Sequence, residues 1–134
     1  MDIQNVNWLG IFISTILSFI IGGLWYSPIL FGKKWAKEAG ISDEQVQKSN
    51  KLKIFGLSFL FTLIAALNLG FFLADPSINA ASGAFYGFLT GFGWVAMAYG
   101  VIGLFELKSW NLIFINSGYW IVTLTIMGSI IGAF

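Results

Sequence analysis

Four stretches of this chain are too apolar, and too nearly free of charge, to belong to a water-soluble domain. They run over residues 8–30, 54–73, 83–105 and 112–134, and no Asp, Glu, Lys or Arg lies inside any of them. An α-helix rises about 1.5 Å per residue, so roughly 20 apolar residues cross the ~30 Å hydrocarbon core of a bilayer. The expected fold is therefore all-α: a polytopic membrane protein whose single domain, residues 1–134, is a bundle of four transmembrane helices. Short connections make up the remainder and leave no room for a separate soluble domain. Whatever the protein does, it is expected to do in or beside the bilayer.

The residue types that are missing narrow the chemistry. The chain has no Cys and no His, which removes disulfides, thiol chemistry, the usual zinc ligands and histidine proton relays. It also has no Arg, so no guanidinium fork is available to grip phosphate or carboxylate. No cofactor, no metal and no nucleic-acid partner are expected, and the partners expected are membrane lipids. Catalysis is not expected either: Ser and Tyr occur in the spans, but no general base accompanies them at depth.

The connections orient the bundle. Residues 31–53 carry six of the seven lysines, and Lys108 lies in the connection between spans three and four. Basic residues near span ends favour the cytoplasm, so both loops are assigned there and both termini outside. Within the first loop, Lys33 to Gly40 suits a short interfacial helix ended by glycine. Ser42-Asp43-Glu44-Gln45 then has the form of a capping box opening a second helix. The segment before Trp8 lacks a basic residue, and the first span ends in Trp25, Tyr26 and Pro28. That first span is expected to be retained rather than removed as a signal peptide.

Trp25, Tyr26, Pro28 and Trp35 form a candidate interfacial motif. Amphipathic rings favour the headgroup level, and Pro28 cannot continue a regular helix without losing a backbone hydrogen bond. Small residues repeat every four positions at Gly83, Gly87 and Gly91, and again at Ser14, Ser18 and Gly22. Ala66 with Gly70, and Gly128 with Gly132, share the spacing. In lipid such faces let helix backbones approach closely. Most are expected to pack inside the bundle, with Gly83, Gly87 and Gly91 also available for association of copies into a homo-oligomer.

Counting from the cytoplasmic ends, Ser18, Tyr99 and Asn116 lie at a depth of roughly 9 Å, with Tyr119 about one turn away. They are a candidate polar lining. Asn68 is placed nearer the outer side, and its amide is expected to face the bundle or a subunit interface, with Thr90 or Ser14 as partner.

At Gly22, Gly23, Trp25-Tyr26-Ser27-Pro28, Phe31-Gly32 and Trp35, together with Asn116, Gly118-Tyr119 and Met127-Gly128, the chain resembles a bacterial membrane-protein family catalogued as domain of unknown function 1761. The resemblance covers essentially the whole chain. It implies a small four-helix membrane protein with no assigned activity, and it transfers no catalytic or binding residue; the location expected for the bundle is the inner membrane. Two expectations for function follow from the residues. One is permeation or transport of a neutral or weakly charged solute along Ser18, Tyr99, Asn116 and Tyr119. The other is a non-catalytic structural, lipid-binding or partner-binding role, in which those residues only join helices.

Overall fold

The computed structural model describes residues 2–134, and all regular structure among them is helical. Four segments are long and apolar enough to span a membrane: Trp8–Trp25, Lys51–Phe72, Ala80–Phe105 and Trp110–Ala133. In chain order the α-helices are α1 (Trp8–Trp25), α2 (Gly32–Ala39), α3 (Asp43–Lys48), α4 (Lys51–Phe72), α5 (Ala80–Thr90), α6 (Met97–Phe105) and α7 (Trp110–Ala133). A π-helical stretch, Gly91–Ala96, joins α5 to α6, so the two form one continuous third span.

Side-chain caps set the starts of these helices, which is why three spans begin two or three residues before their apolar stretches. Asn50 accepts from the Lys53 N–H, Asn79 from Ser82 and Ser109 from Leu112. In the first loop the capping box closes as its sequence implies. Ser42 accepts from the Gln45 N–H at 3.1 Å while the Gln45 side chain accepts from the Ser42 N–H at 2.8 Å. Gly40 ends α2 in the left-handed conformation, φ 71°.

Span one is shorter than expected. It stops at Trp25 instead of running to Leu30, because the backbone turns there and bonds to itself. The Phe31 N–H donates to the Trp25 carbonyl at 3.0 Å and the Gly32 N–H to the Ser27 carbonyl at 2.9 Å. A Cβ on Gly32 would overlap the Tyr26 carbonyl, so the turn requires glycine. Pro28 sits within this turn, where its missing N–H breaks no ladder.

The bundle is built around α7. On one side α5 lies against it with the two backbones nearly touching. A Cβ on Gly83 would overlap the Gly128 carbonyl, one on Gly87 the Leu124 carbonyl, and one on Gly132 the Asn79 carbonyl. Gly83, Gly87 and Gly91 all face α7. The stripe is therefore consumed within the protomer. On the other side α1 packs through Ser14, Ser18 and Gly22, and α4 packs on α1, where Gly70 meets Ile11 and Ala66 is fully buried. The apolar core, including Ile11, Leu69, Leu124, Met127 and Ile131, lies toward the ends that carry the chain termini. There the Asn7 side-chain amide donates to the Ile131 carbonyl at 2.7 Å, tying the start of the first span to the end of the last.

Candidate functional site

At the opposite, Lys-rich end the turn after α1 folds over the first turns of α7. The Trp25 indole N–H donates to the Ile115 carbonyl at 3.0 Å, and the Tyr26 hydroxyl donates to Asn116 Oδ1 at 2.8 Å. The Tyr119 hydroxyl donates to the Ser18 carbonyl at 3.1 Å. Around these bonds the rings of Trp25, Tyr26, Phe31, Trp35 and Tyr119 meet at centroid separations of 4.8–6.3 Å. Two glycines make room: a Cβ on Gly22 would lie 2.8 Å from the Tyr119 hydroxyl, and one on Gly118 3.1 Å from the Trp25 ring. Tilted and edge-to-face rings with satisfied donors make this a rigid joint between spans one and four.

The joint absorbs most of the candidate lining. Ser18 is buried and its hydroxyl donates to the Ser14 carbonyl of its own helix at 2.6 Å. Asn116 and Tyr119 are held by the bonds above. Tyr99, on the third span, makes no hydrogen bond to the joint and lines a different feature.

That feature is a cleft of about 920 Å³ between α4 and the third span, floored by Trp120 and Leu124 of α7. It exists because α4 packs on α1 and α7 and builds no interface with the third span. Asn68, Phe72 and Leu73 form one wall, with Tyr86, Thr90, Trp94 and Tyr99 on the other. From Tyr86 to Tyr99 the cleft follows the third span for roughly 20 Å at 1.5 Å per residue. The π-helical stretch contributes Trp94 and Val95 to it. Such widened turns occur often at functional sites.

Polar groups in the cleft are under-used. Asn68 is exposed in the cleft rather than facing a neighbouring helix, and its amide donates to the Ile64 carbonyl of its own helix at 2.9 Å. Thr90 sits on the facing wall as a potential partner, yet its hydroxyl donates to the Tyr86 carbonyl at 2.9 Å. Ser14, the other expected partner, is buried with its hydroxyl on the Ile11 carbonyl. Among the described residues the Tyr86 and Tyr99 hydroxyls and the Trp94 indole N–H make no hydrogen bond. Trp94 is 79% exposed near the middle of its span, away from the interfacial level that Trp prefers. That mid-span Trp is the sequence signal that could have pointed to the cleft.

A family model described as "Protein of unknown function (DUF1761)" matches residues 9–132. The chain belongs to this family. No curated protein and no solved structure matches it. Most of the residues through which the chain resembles DUF1761 meet in the joint: Trp25, Tyr26, Phe31, Gly32 and Trp35 from the turn, Asn116, Gly118 and Tyr119 from α7. Gly128 serves the α5 contact instead.

Charge at the two ends is also set by local bonds. At the mouth of the cleft, near the terminal end, the Ser77 backbone N–H and hydroxyl bond Asp75 Oδ1 at 2.8 and 2.7 Å. They hold its carboxyl below the usual carboxylate range, so it is anionic at neutral pH. Glu38 of α2 is likewise held low by hydrogen bonding from Ser109 and from Asn111, whose amide lies 3.3 Å from Oε1. Glu38 thereby links the interfacial helix to the start of α7. No cluster of three or more potential metal ligands occurs among the described residues.

Proposed function

We propose that this DUF1761 protein is a non-catalytic membrane protein that takes an uncharged, elongated amphiphile from the bilayer into the cleft between its second and third spans. The observation that carries the reading is the cleft itself: a large apolar space, open sideways, in which the donors of Tyr86, Trp94 and Tyr99 have no partner among the described residues. An unpaired donor in hydrocarbon costs free energy, and an occupant with ester, ketone or ether oxygens would offset it. Apolar walls with a few convergent polar groups are the usual make-up of a ligand site. Asp75 at the mouth disfavours an anionic head group there. The permeation reading draws no support from Ser18, Asn116 and Tyr119, whose polar atoms are engaged between helices.

The same proposal keeps the Lys-bearing connections in the cytoplasm and both termini outside, in the inner membrane, on the strength of the basic-residue rule. Association of copies, expected for so small a bundle, would have to use a face other than Gly83, Gly87 and Gly91.

The test is to purify the chain from membranes in mild detergent and identify by mass spectrometry the molecules released on solvent extraction. The unaltered chain is expected to carry a neutral, acceptor-bearing amphiphile at near-stoichiometric level. Ala65→Trp, which fills the cleft from the α4 wall, should lose it while keeping its bulk phospholipid. Equal retention by the two proteins would refute the proposal.

A further inference from the structure

A second hollow, of about 330 Å³, lies at the Lys-rich end and is separate from the cleft. Trp25, Phe31, Phe114, Ile115 and Gly118 form its walls, and Lys34 and Asn111 stand at its rim. Trp25 is the last residue of span one, while Asn111 is the second of span four, so the rim lies where the spans leave the bilayer. From Asn111 to Gly118 the wall descends about 10 Å along α7 toward the hydrocarbon. Phe114 is largely exposed and stacks on Trp110 at 5.8 Å, extending the apolar wall sideways.

The charge pattern identifies the occupant. Lys34 is the only charged residue lining the hollow, and it makes no ion pair among the described residues. The nearby carboxylate, Glu38, is already engaged by Ser109 and Asn111. Lys33 and Lys37 flank Lys34 on α2 and Lys108 lies just before α7, against the two carboxylates of Glu38 and Glu106, so the balance of charge around the rim is positive. A cationic rim above an apolar wall that descends into a bilayer is complementary to a molecule with an anionic head and a hydrocarbon tail.

We propose that this hollow binds one anionic phospholipid, its phosphate on Lys34 and Asn111 and an acyl chain along Phe114 and the Trp25 edge. Because the walls lie below the rim, a water-soluble phosphate would use only half of the site. The proposal is independent of the cleft.

The test uses the full chain in nanodiscs of equimolar phosphatidylglycerol and phosphatidylcholine, released into the gas phase for native mass spectrometry. The species retaining one lipid should carry phosphatidylglycerol preferentially. Lys34→Gln should lower its phosphatidylglycerol-to-phosphatidylcholine ratio about five-fold, the worth of one lysine at a membrane surface. Lys33→Gln, which removes the same charge outside the hollow, should leave the ratio unchanged. Phe114→Ala should reduce retention of either lipid, since the tail loses its wall. Equal effects of the two lysine variants would indicate a diffuse attraction and overturn the proposal. A loss at Lys34 with none at Phe114, or displacement of the lipid by glycerol phosphate, would overturn it in favour of a head-group anion alone.

Discussion

Adding one methyl group at Gly87 should weaken the whole bundle, although the same change elsewhere on the same span should strengthen it. Alanine is a better helix former than glycine by about 1 kcal/mol, so Gly→Ala is favourable wherever space exists. At Gly100 a Cβ meets nothing within 4 Å, and Gly100→Ala is expected to gain up to that amount. At Gly87 the new Cβ runs into the Leu124 carbonyl, and at Gly83 into that of Gly128. Those obstacles are backbone on a packed helix, with no side chain to rotate away. The two helices must separate along their longest contact, which places the cost near the upper end of the 1–3 kcal/mol typical of overpacking. Subtracting the gain in propensity leaves a net loss of about 2 kcal/mol for Gly87→Ala. Gly91 should fall between: its Cβ would lie 2.8 Å from the Ile121 Cα and 3.0 Å from the Trp120 carbonyl oxygen. For a domain of this size 1 kcal/mol corresponds to about 4 °C in Tm. Thermal unfolding in a single detergent, followed by tryptophan fluorescence, should therefore rank Gly87→Ala lowest, about 8 °C below the unaltered chain, then Gly91→Ala, with Gly100→Ala highest. The Gly87→Ala shift should not depend on protein concentration, because the contact lies within one chain. A Gly87→Ala protein as stable as Gly100→Ala would refute the reasoning, and a concentration-dependent loss would move the glycine stripe to an interface between copies.

Two further outcomes test the Lys-rich end. In a double-mutant cycle, Tyr26→Phe and Asn116→Ala should be coupled by about 0.6–1.7 kcal/mol, the range for hydrogen bonds between membrane helices, and additive effects would show that the 2.8 Å bond does not join spans one and four. Glu38 has a folded pKa below its reference value of 4.5, so its contribution to docking α2 on α7 is present above that value and lost as pH falls through the lower, folded value. Hydrogen exchange in α2 should accelerate over that acid range in the unaltered chain, and an unchanged acid response in Glu38→Gln would refute the assignment.

Hydropathy and local capping chemistry determined much of this protein. Four uncharged apolar stretches dictated four spans, because a backbone in hydrocarbon must satisfy its own hydrogen bonds and a helix does so within each segment. Ser42 with Gln45, and Gly40 in its left-handed turn, were legible for the same reason: these signals involve residues within one turn of each other. The four-residue spacing of Gly83, Gly87 and Gly91 marked a packing face, but spacing carries no information about which helix will cover it. Only the tertiary structure assigned that face to α7, and only it brought Tyr26 to Asn116 and Tyr119 to Ser18, contacts that join residues 90 and 101 positions apart. Depth along a helix placed Ser18, Tyr99, Asn116 and Tyr119 in one layer, whereas their directions around the helix axes sent three into a joint and the fourth to the cleft. The cleft was beyond sequence altogether. It is a gap left where α4 leans on α1 and α7 and not on the third span, and in lipid, where every outward face is apolar, hydropathy does not distinguish a wall of such a gap from any other surface.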